Sequence, residues 1–174
     1  EDYRYAAWRQ DNGPRWWWFS FFQVFLIQGI LLWLISAPLL AAQLNPAPPR
    51  LTWLDGLAVL AWGVGFIFEA GGDFQLARFK ADPANRGKLL TSGLWRYTRH
   101  PNYFGDAAQW WGFYLLALVA GGWWTVFSPL LMTFLLLRVS GVRLLEKSLQ
   151  GTKPGYEEYV RRTSAFFPLP PRKR

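Results

Sequence analysis

The chain has 174 residues, a net charge of +8, 12 tryptophans, a single histidine and no cysteine. The lack of cysteine excludes disulfides, thiolate nucleophiles and cysteine-based metal sites, and one histidine leaves little to hold zinc or haem. So much positive charge calls for an anionic partner: lipid headgroups, nucleic acid or a polyanionic cofactor.

Residues 1–15 are polar with aromatic interruptions, and Tyr5 and Trp8 fit one side of a short surface helix ended by Asn12-Gly13-Pro14. Trp16, Trp17 and Trp18 then read as an interfacial belt. Residues 17–44 carry no charge, enough to cross a hydrocarbon core, which takes about 20 apolar residues. Pro38 is expected to kink or end that helix. The run is too long for a signal peptide and lacks a cleavage site. A proline-rich turn over 45–50 leads to a second apolar run, 51–68, with Asp55 near its start. That run turns polar at Glu69 and Asp73, one helical turn apart, and Lys80 follows two turns beyond Asp73. Ordinary solvated charges on an emerging helix are the competing reading. Residues 81–100 read as a polar loop. A third span starts at Pro101 and ends at Gly121-Gly122, and a fourth covers about 126–142 with Arg138 inside it. An arginine within a span is costly and often functional, although snorkelling from an end also explains it. The tail, 150–174, carries Tyr156, Tyr159 and Phe166-Phe167-Pro168-Leu169-Pro170-Pro171.

Lysine and arginine number three in 1–15, six in 78–99 and nine from Arg138 onward, against one in 43–52 and none in 121–124. The positive-inside rule then places both ends and the 78–100 loop in the cytoplasm. The expected fold is all-α: a single polytopic membrane domain, 1–174, of about four transmembrane helices. A cytoplasmic segment (1–15) precedes a bundle (16–147), and a cytoplasmic tail (148–174) follows it. Met132 is the only methionine, so the chain is expected to be a fragment or processed product, with residues before Glu1.

One stretch organises the rest: Ser92-Gly93-Leu94-Trp95-Arg96-Tyr97-Thr98-Arg99-His100-Pro101-Asn102-Tyr103-Phe104-Gly105-Asp106. It runs from a charged loop into an apolar helix, with Pro101 suited to the first turn. Asn102, Asp106 and Gln109 share one helix face, and polar groups on such a face look into a cavity or a partner helix. The basic loop and the helix N-terminus together favour an anion. A plain membrane-surface loop with a helix cap is the simpler alternative.

From Gly93 to Asp106 this stretch resembles the hallmark of the steroid 5α-reductase C-terminal domain superfamily, most closely its largely bacterial branch. Its Arg99-His100-Pro101-Asn102-Tyr103-x-Gly105-Asp106 core is similar to that of sterol reductases of the lamin B receptor type. The resemblance runs from about Trp8 to Pro171. It implies a membrane bundle that holds NADPH in a cytoplasm-facing cavity and reduces a carbon–carbon double bond of an apolar, lipid- or steroid-like substrate. In a bacterial cell it would lie in the inner membrane. By position, Asn102 and Asp106 would meet the nicotinamide end. Asp73, Lys80, Trp95, Arg99 and His100, with Tyr103 beside them, would line the pocket. Arg138, Arg143, Glu146, Tyr156 and Tyr159 would serve phosphates and ribose. The catalytic acid of the steroid reductases would lie in helices before Glu1, so no catalytic residue is assigned here.

The motif is also similar to that of isoprenylcysteine carboxyl methyltransferases, which use S-adenosylmethionine. They share Arg99-His100-Pro101-x-Tyr103-x-Gly105 and a late glutamate, Glu146, followed by Tyr156-x-x-Tyr159. Asn102 with Asp106 favours the reductase, because an amide and a carboxylate can hydrogen-bond a carboxamide. A non-enzymatic lipid-binding protein is a third reading. Nucleic acid is disfavoured because the cations flank membrane spans. Neither the oligomeric state nor the identity of the substrate follows from the sequence.

Overall fold

The structure is a computed structural model that describes residues 3–44, 50–139, 141–149 and 153–172, so the expected turn at 45–49 lies outside the described residues. Every named element among these is helical, and the β-type contact they contain is an isolated parallel bridge between Thr98 and Ser164. The chain divides into two units, one ending at Ala37 and the other beginning at Pro38.

The first unit contains α1 (Tyr3–Asn12), α2 (Trp16–Ser20) and α3 (Ile27–Ile35). The sequence suggested a break at Gly13-Pro14. Instead those residues form a 3₁₀ turn, Gly13–Arg15, that carries the chain on. Proline is tolerated there because the first turn of a helix has no use for its N–H. A π turn, Phe21–Leu26, joins α2 to α3. The result is one apolar helix, Tyr5–Ile35, of 31 residues, long enough to cross a bilayer. Trp17, Trp18, Phe22, Phe25 and Trp33 are all exposed on it, as suits a lipid-facing surface.

The second unit holds most of α4 (Ala37–Leu44), then α5 (Trp53–Ala81) and α6 (Pro101–Val119). Asp55 caps α5: its carboxylate accepts the Thr52 backbone N–H at 2.6 Å and the Thr52 hydroxyl at 2.9 Å. This aspartate therefore serves the helix end. Asp82-Pro83 ends α5, since a residue before proline is pushed out of the helical region, and Asp82 sits at φ −84°, ψ 115°.

α5 and α6 pack along a seam of small residues. Ala58, Gly65 and Gly72 recur every seven positions on α5 and are buried, as are Pro101, Gly105 and Gly112 on α6. A Cβ added at Gly65 would stand 2.6 Å from the Gly105 carbonyl oxygen and 2.7 Å from the Gln109 nitrogen. Small residues allow this backbone approach, and dispersion along the seam holds helices together where lipid offers no hydrophobic drive. Gly121 turns the chain at φ +81°, a conformation open to glycine. The apolar helix Trp123–Val139 follows, made of a 3₁₀ turn, α7 (Phe127–Phe134) and a π turn, Leu135–Val139. α8 (Val142–Leu149) and α9 (Tyr156–Arg162) come next.

Beyond α9 the tail clasps the motif loop. The Arg99 N–H donates to the Ser164 carbonyl at 2.9 Å, the Leu169 N–H to Tyr97 at 3.0 Å, and the Thr98 hydroxyl to Phe166 at 2.9 Å. Phe166 closes a small core with Ala107, Leu136 and Val142.

Candidate functional site

Where α5 ends, the following loop, the motif loop, α8 and α9 enclose a cavity of about 590 Å³. Ligand clefts are roughly 300–1,000 Å³. Leu76, Phe79, Leu89, Leu90, Leu145 and Leu149 give it apolar walls. Trp95, Arg99, His100, Tyr156 and Tyr159 face it from the motif loop and α9. Besides Arg99, four cations line it from three places: Lys80 at the end of α5, Arg86 and Lys88 in the loop, and Lys153 ahead of α9. Among the lining residues Asp82 is the acid that opposes them.

The inner groups are held firmly. The Trp95 indole N–H donates to the Gly72 carbonyl at 3.1 Å. Arg99 is buried, with Nε donating to Glu146 Oε1 at 2.8 Å and Nη2 standing 2.6 Å from the same oxygen. Its Nη1 donates to the carbonyls of Val160, at 3.1 Å, and Thr163. The guanidinium thus ties α8 to the last carbonyls of α9, where a cation is favoured. Tyr159 donates its hydroxyl to the Trp95 carbonyl.

Two polar atoms in this shell have no hydrogen-bond partner: His100 Nε2 and the Tyr156 hydroxyl. Both residues line the cavity, and they are 2% and 3% exposed. His100 Nε2 lies 3.4 Å from Glu146 Oε1 without making a hydrogen bond to it. The imidazole stacks on Tyr103, with ring centres 5.4 Å apart. Burial pushes the Glu146 carboxyl up, but contacts with His100 and Arg99 outweigh it and hold it below the usual carboxylate range. Burial, then the Glu146 charge, pushes the Tyr156 phenol up. Burial pushes Tyr159 up as well. Both phenols therefore stay protonated at neutral pH, and Tyr156 has a donor to offer. Buried polar groups are normally paired, so two orphans facing one cavity mark a place where a ligand would complete them.

A second cluster lies on the α5–α6 pair. The Asn102 amide donates to Asp73 Oδ1 at 2.9 Å, and the Gln109 amide donates to Glu69. Asp106 stands half-buried on the same face of α6. In a bilayer, about 20 residues of α5 counted from Trp53 use up the hydrocarbon, which ends near Gly72 and Asp73. Asn102 and Asp73 would sit at that edge, with the cavity beyond it.

The structure thus divides the residues singled out in the sequence. Lys80, Trp95, Arg99, His100, Tyr156 and Tyr159 line the cavity, Glu146 backs it, and Tyr103 supports His100. Asp73, Asn102 and Asp106 occupy the helix face instead, outside the cavity lining. Arg138 and Arg143 are exposed and outside the lining too. A π turn holds Arg138, and Gly141 separates it from α8, which carries Arg143. Arg86, Lys88 and Lys153 escaped notice as individual residues. The signal for Arg86 and Lys88 was the density of cations in 78–99, and for Lys153 the basic tail from Arg138 onward.

The profile of the family described as "Protein of unknown function (DUF1295)" matches residues 1–163. The chain belongs to the DUF1295 family. "Uncharacterized protein C594.04c" of Schizosaccharomyces pombe is 28% identical over 191 residues, which take in 97% of this chain and 55% of that protein. This chain therefore spans little more than half the length of that relative. No solved structure matches it.

Proposed function

We propose that the chain forms the cofactor-holding part of a membrane reductase that uses NADPH to reduce a polarised carbon–carbon double bond in a lipid- or steroid-like substrate. The DUF1295 family would then be a branch of the steroid 5α-reductase-like superfamily. α6 and Trp123–Val139 would join Tyr5–Ile35 and Trp53–Ala81 as four spans, with both ends and the cavity on the cytoplasmic side of the bacterial inner membrane.

The observation that carries this reading is the basic-lined, otherwise apolar cavity with two unpartnered buried groups in it. The donor set fits a phosphorylated dinucleotide: Lys80, Arg86, Lys88 and Lys153 would hold phosphates, where several cations outweigh one acid. Tyr156 would donate and His100 would donate or accept toward the polar edge of a ring or a ribose. When bound, NADPH supplies the hydride. Trp95, Leu145 and Leu149 would exclude water. Arg99 and Glu146 would position the α8–α9 wall. Asn102 and Asp106, at the membrane edge, remain the candidates for the nicotinamide end by resemblance. Activity and substrate class of the whole protein are part of the proposal.

A second reading, an S-adenosylmethionine-dependent methyltransferase, gains from one observation: Asn102 and Asp106, which favour the reductase, lie outside the cavity lining. Titration of detergent-purified protein with NADPH, NADH and S-adenosylmethionine separates the two. The reductase reading expects NADPH to bind most tightly, with affinity falling as salt rises. Binding of S-adenosylmethionine without NADPH overturns it.

A further inference from the structure

The tail presents a surface that the cavity does not use. Phe167 and Leu169 are 64% and 55% exposed, and Tyr97 beside them is 42% exposed. We propose that Phe167 and Leu169, flanked by Tyr97, insert into the headgroup–acyl boundary of an anionic lipid leaflet, with Arg162 and Arg172 set against its phosphates. The proposal rests on α5 spanning the membrane and is independent of the reductase reading.

Three observations converge on it. The first is depth. The Phe167 ring lies 6.2 Å from the ring of Phe104, in the first turn of α6. The start of that helix lies against Gly72, where Pro101 and the Asn102 nitrogen are neighbours. That is the level at which about 20 residues of α5 exhaust the hydrocarbon. Phe167 therefore stands at the edge of the acyl layer, where aromatic rings are favoured. The second is rigidity. The chain is tied by Leu169 to Tyr97 at 3.0 Å and by Arg172 to Arg162 at 2.9 Å. Pro168 and Pro170 restrict the backbone further. Little ordering is left to oppose insertion. The third is charge. Arg161 and Arg162 have side chains 73% and 47% exposed, and Arg172 is exposed. Glu158 meets the first two at 3.4 and 3.8 Å, a screened surface arrangement, and the chain as a whole carries +8. Exposed apolar side chains on a tail that also carries exposed arginines complement an anionic bilayer. A protein partner would be the occupant only if lipid is not.

The absence of cysteine makes the test clean. Single variants Phe167→Cys, Leu169→Cys and the loop control Ala84→Cys are labelled with an environment-sensitive fluorophore. Each is reconstituted into phosphatidylcholine vesicles with or without phosphatidylglycerol. In anionic vesicles the probes at 167 and 169 are expected to shift to the blue and be quenched by brominated acyl chains. The probe at 84 stays open to iodide. Adding Arg162→Glu and Arg172→Glu should reverse much of the quenching, because each cation near an anionic surface is worth roughly fivefold in partitioning. Iodide access at 167 and 169 equal to that at 84 overturns the proposal, as does quenching that ignores both lipid charge and charge reversal. Protection in native membranes that is lost in purified anionic vesicles would assign the surface to a protein instead.

Discussion

Arg99→Lys separates two roles that the sequence could not. A phosphate ligand would lose its forked donors and bind the cofactor less well. The structure shows the fork already committed, with two contacts to Glu146 and two to the carbonyls of Val160 and Thr163. A lysine ammonium keeps the charge but cannot reach both groups from one point. Two of the four contacts would go, and hydrogen bonds to charged groups contribute about 1.5–3 kcal/mol each. Relaxation and the retained charge reduce this to roughly 2–4 kcal/mol, at the lower side of the 3–5 kcal/mol typical of removing one partner from a buried pair. At about 1.4 kcal/mol per tenfold, the tail should open some hundredfold more often. Proteinase K cleavage near residues 163–169 reports that opening when reclosing is fast. Cleavage should accelerate by that order, and Glu146→Gln should add little on top, since the two share one contact. Unchanged cleavage together with weakened NADPH binding would refute the clasp and restore Arg99 as a ligand contact.

The other predictions use the same preparation. Glu146 has a depressed carboxyl pKa, so its stabilisation is complete above the usual glutamate range and lost as pH falls through the lowered value; tail cleavage should rise below about pH 4, and less so in Glu146→Gln. Tyr156→Phe should leave the unfolding midpoint unchanged, because its hydroxyl has no partner, yet weaken NADPH binding. Tyr159→Phe should cost about 1–3 kcal/mol of stability by stranding the Trp95 carbonyl. Gly65→Ala should destabilise by roughly 1–3 kcal/mol in denaturant or thermal melts, having backbone at 2.6 Å. Gly63→Ala meets nothing within 4 Å and should be neutral or better.

Much of the helical frame is legible in the sequence, because each long apolar run ends on a chemical stop: Asp82-Pro83 after α5, Gly121 after α6. The polar faces were legible as well. The spacing of Asn102 and Gln109 anticipates their bonds to Asp73 and Glu69, since polar groups on a packed helix face need partners. The commitment of Arg99 was not legible. Its partners lie 47 to 64 residues away, beyond any local period. Arg138 lies in a π turn, exposed and outside the cavity lining, a local departure from the α-helix that the apolar run does not announce. Cavity cations from a loop, Arg86 and Lys88, follow from tertiary closure alone.

The clasp also has a consequence in time. Thr98 and its acceptor on Phe166 are 68 residues apart, so the motif loop leaves the ribosome long before its mate. During that interval α5 and α6 can zip along their glycine seam, while Thr98 and Arg99 wait with their hydrogen bonds unmade. A nascent chain halted before Thr163 would already hold its long helices and the residues that line the cavity, yet its motif loop would lack the tail that clasps it. Completion of the clasp therefore reports completion of this stretch of translation. Quality-control proteases that read loose segments would meet the unfinished protein at the motif loop first.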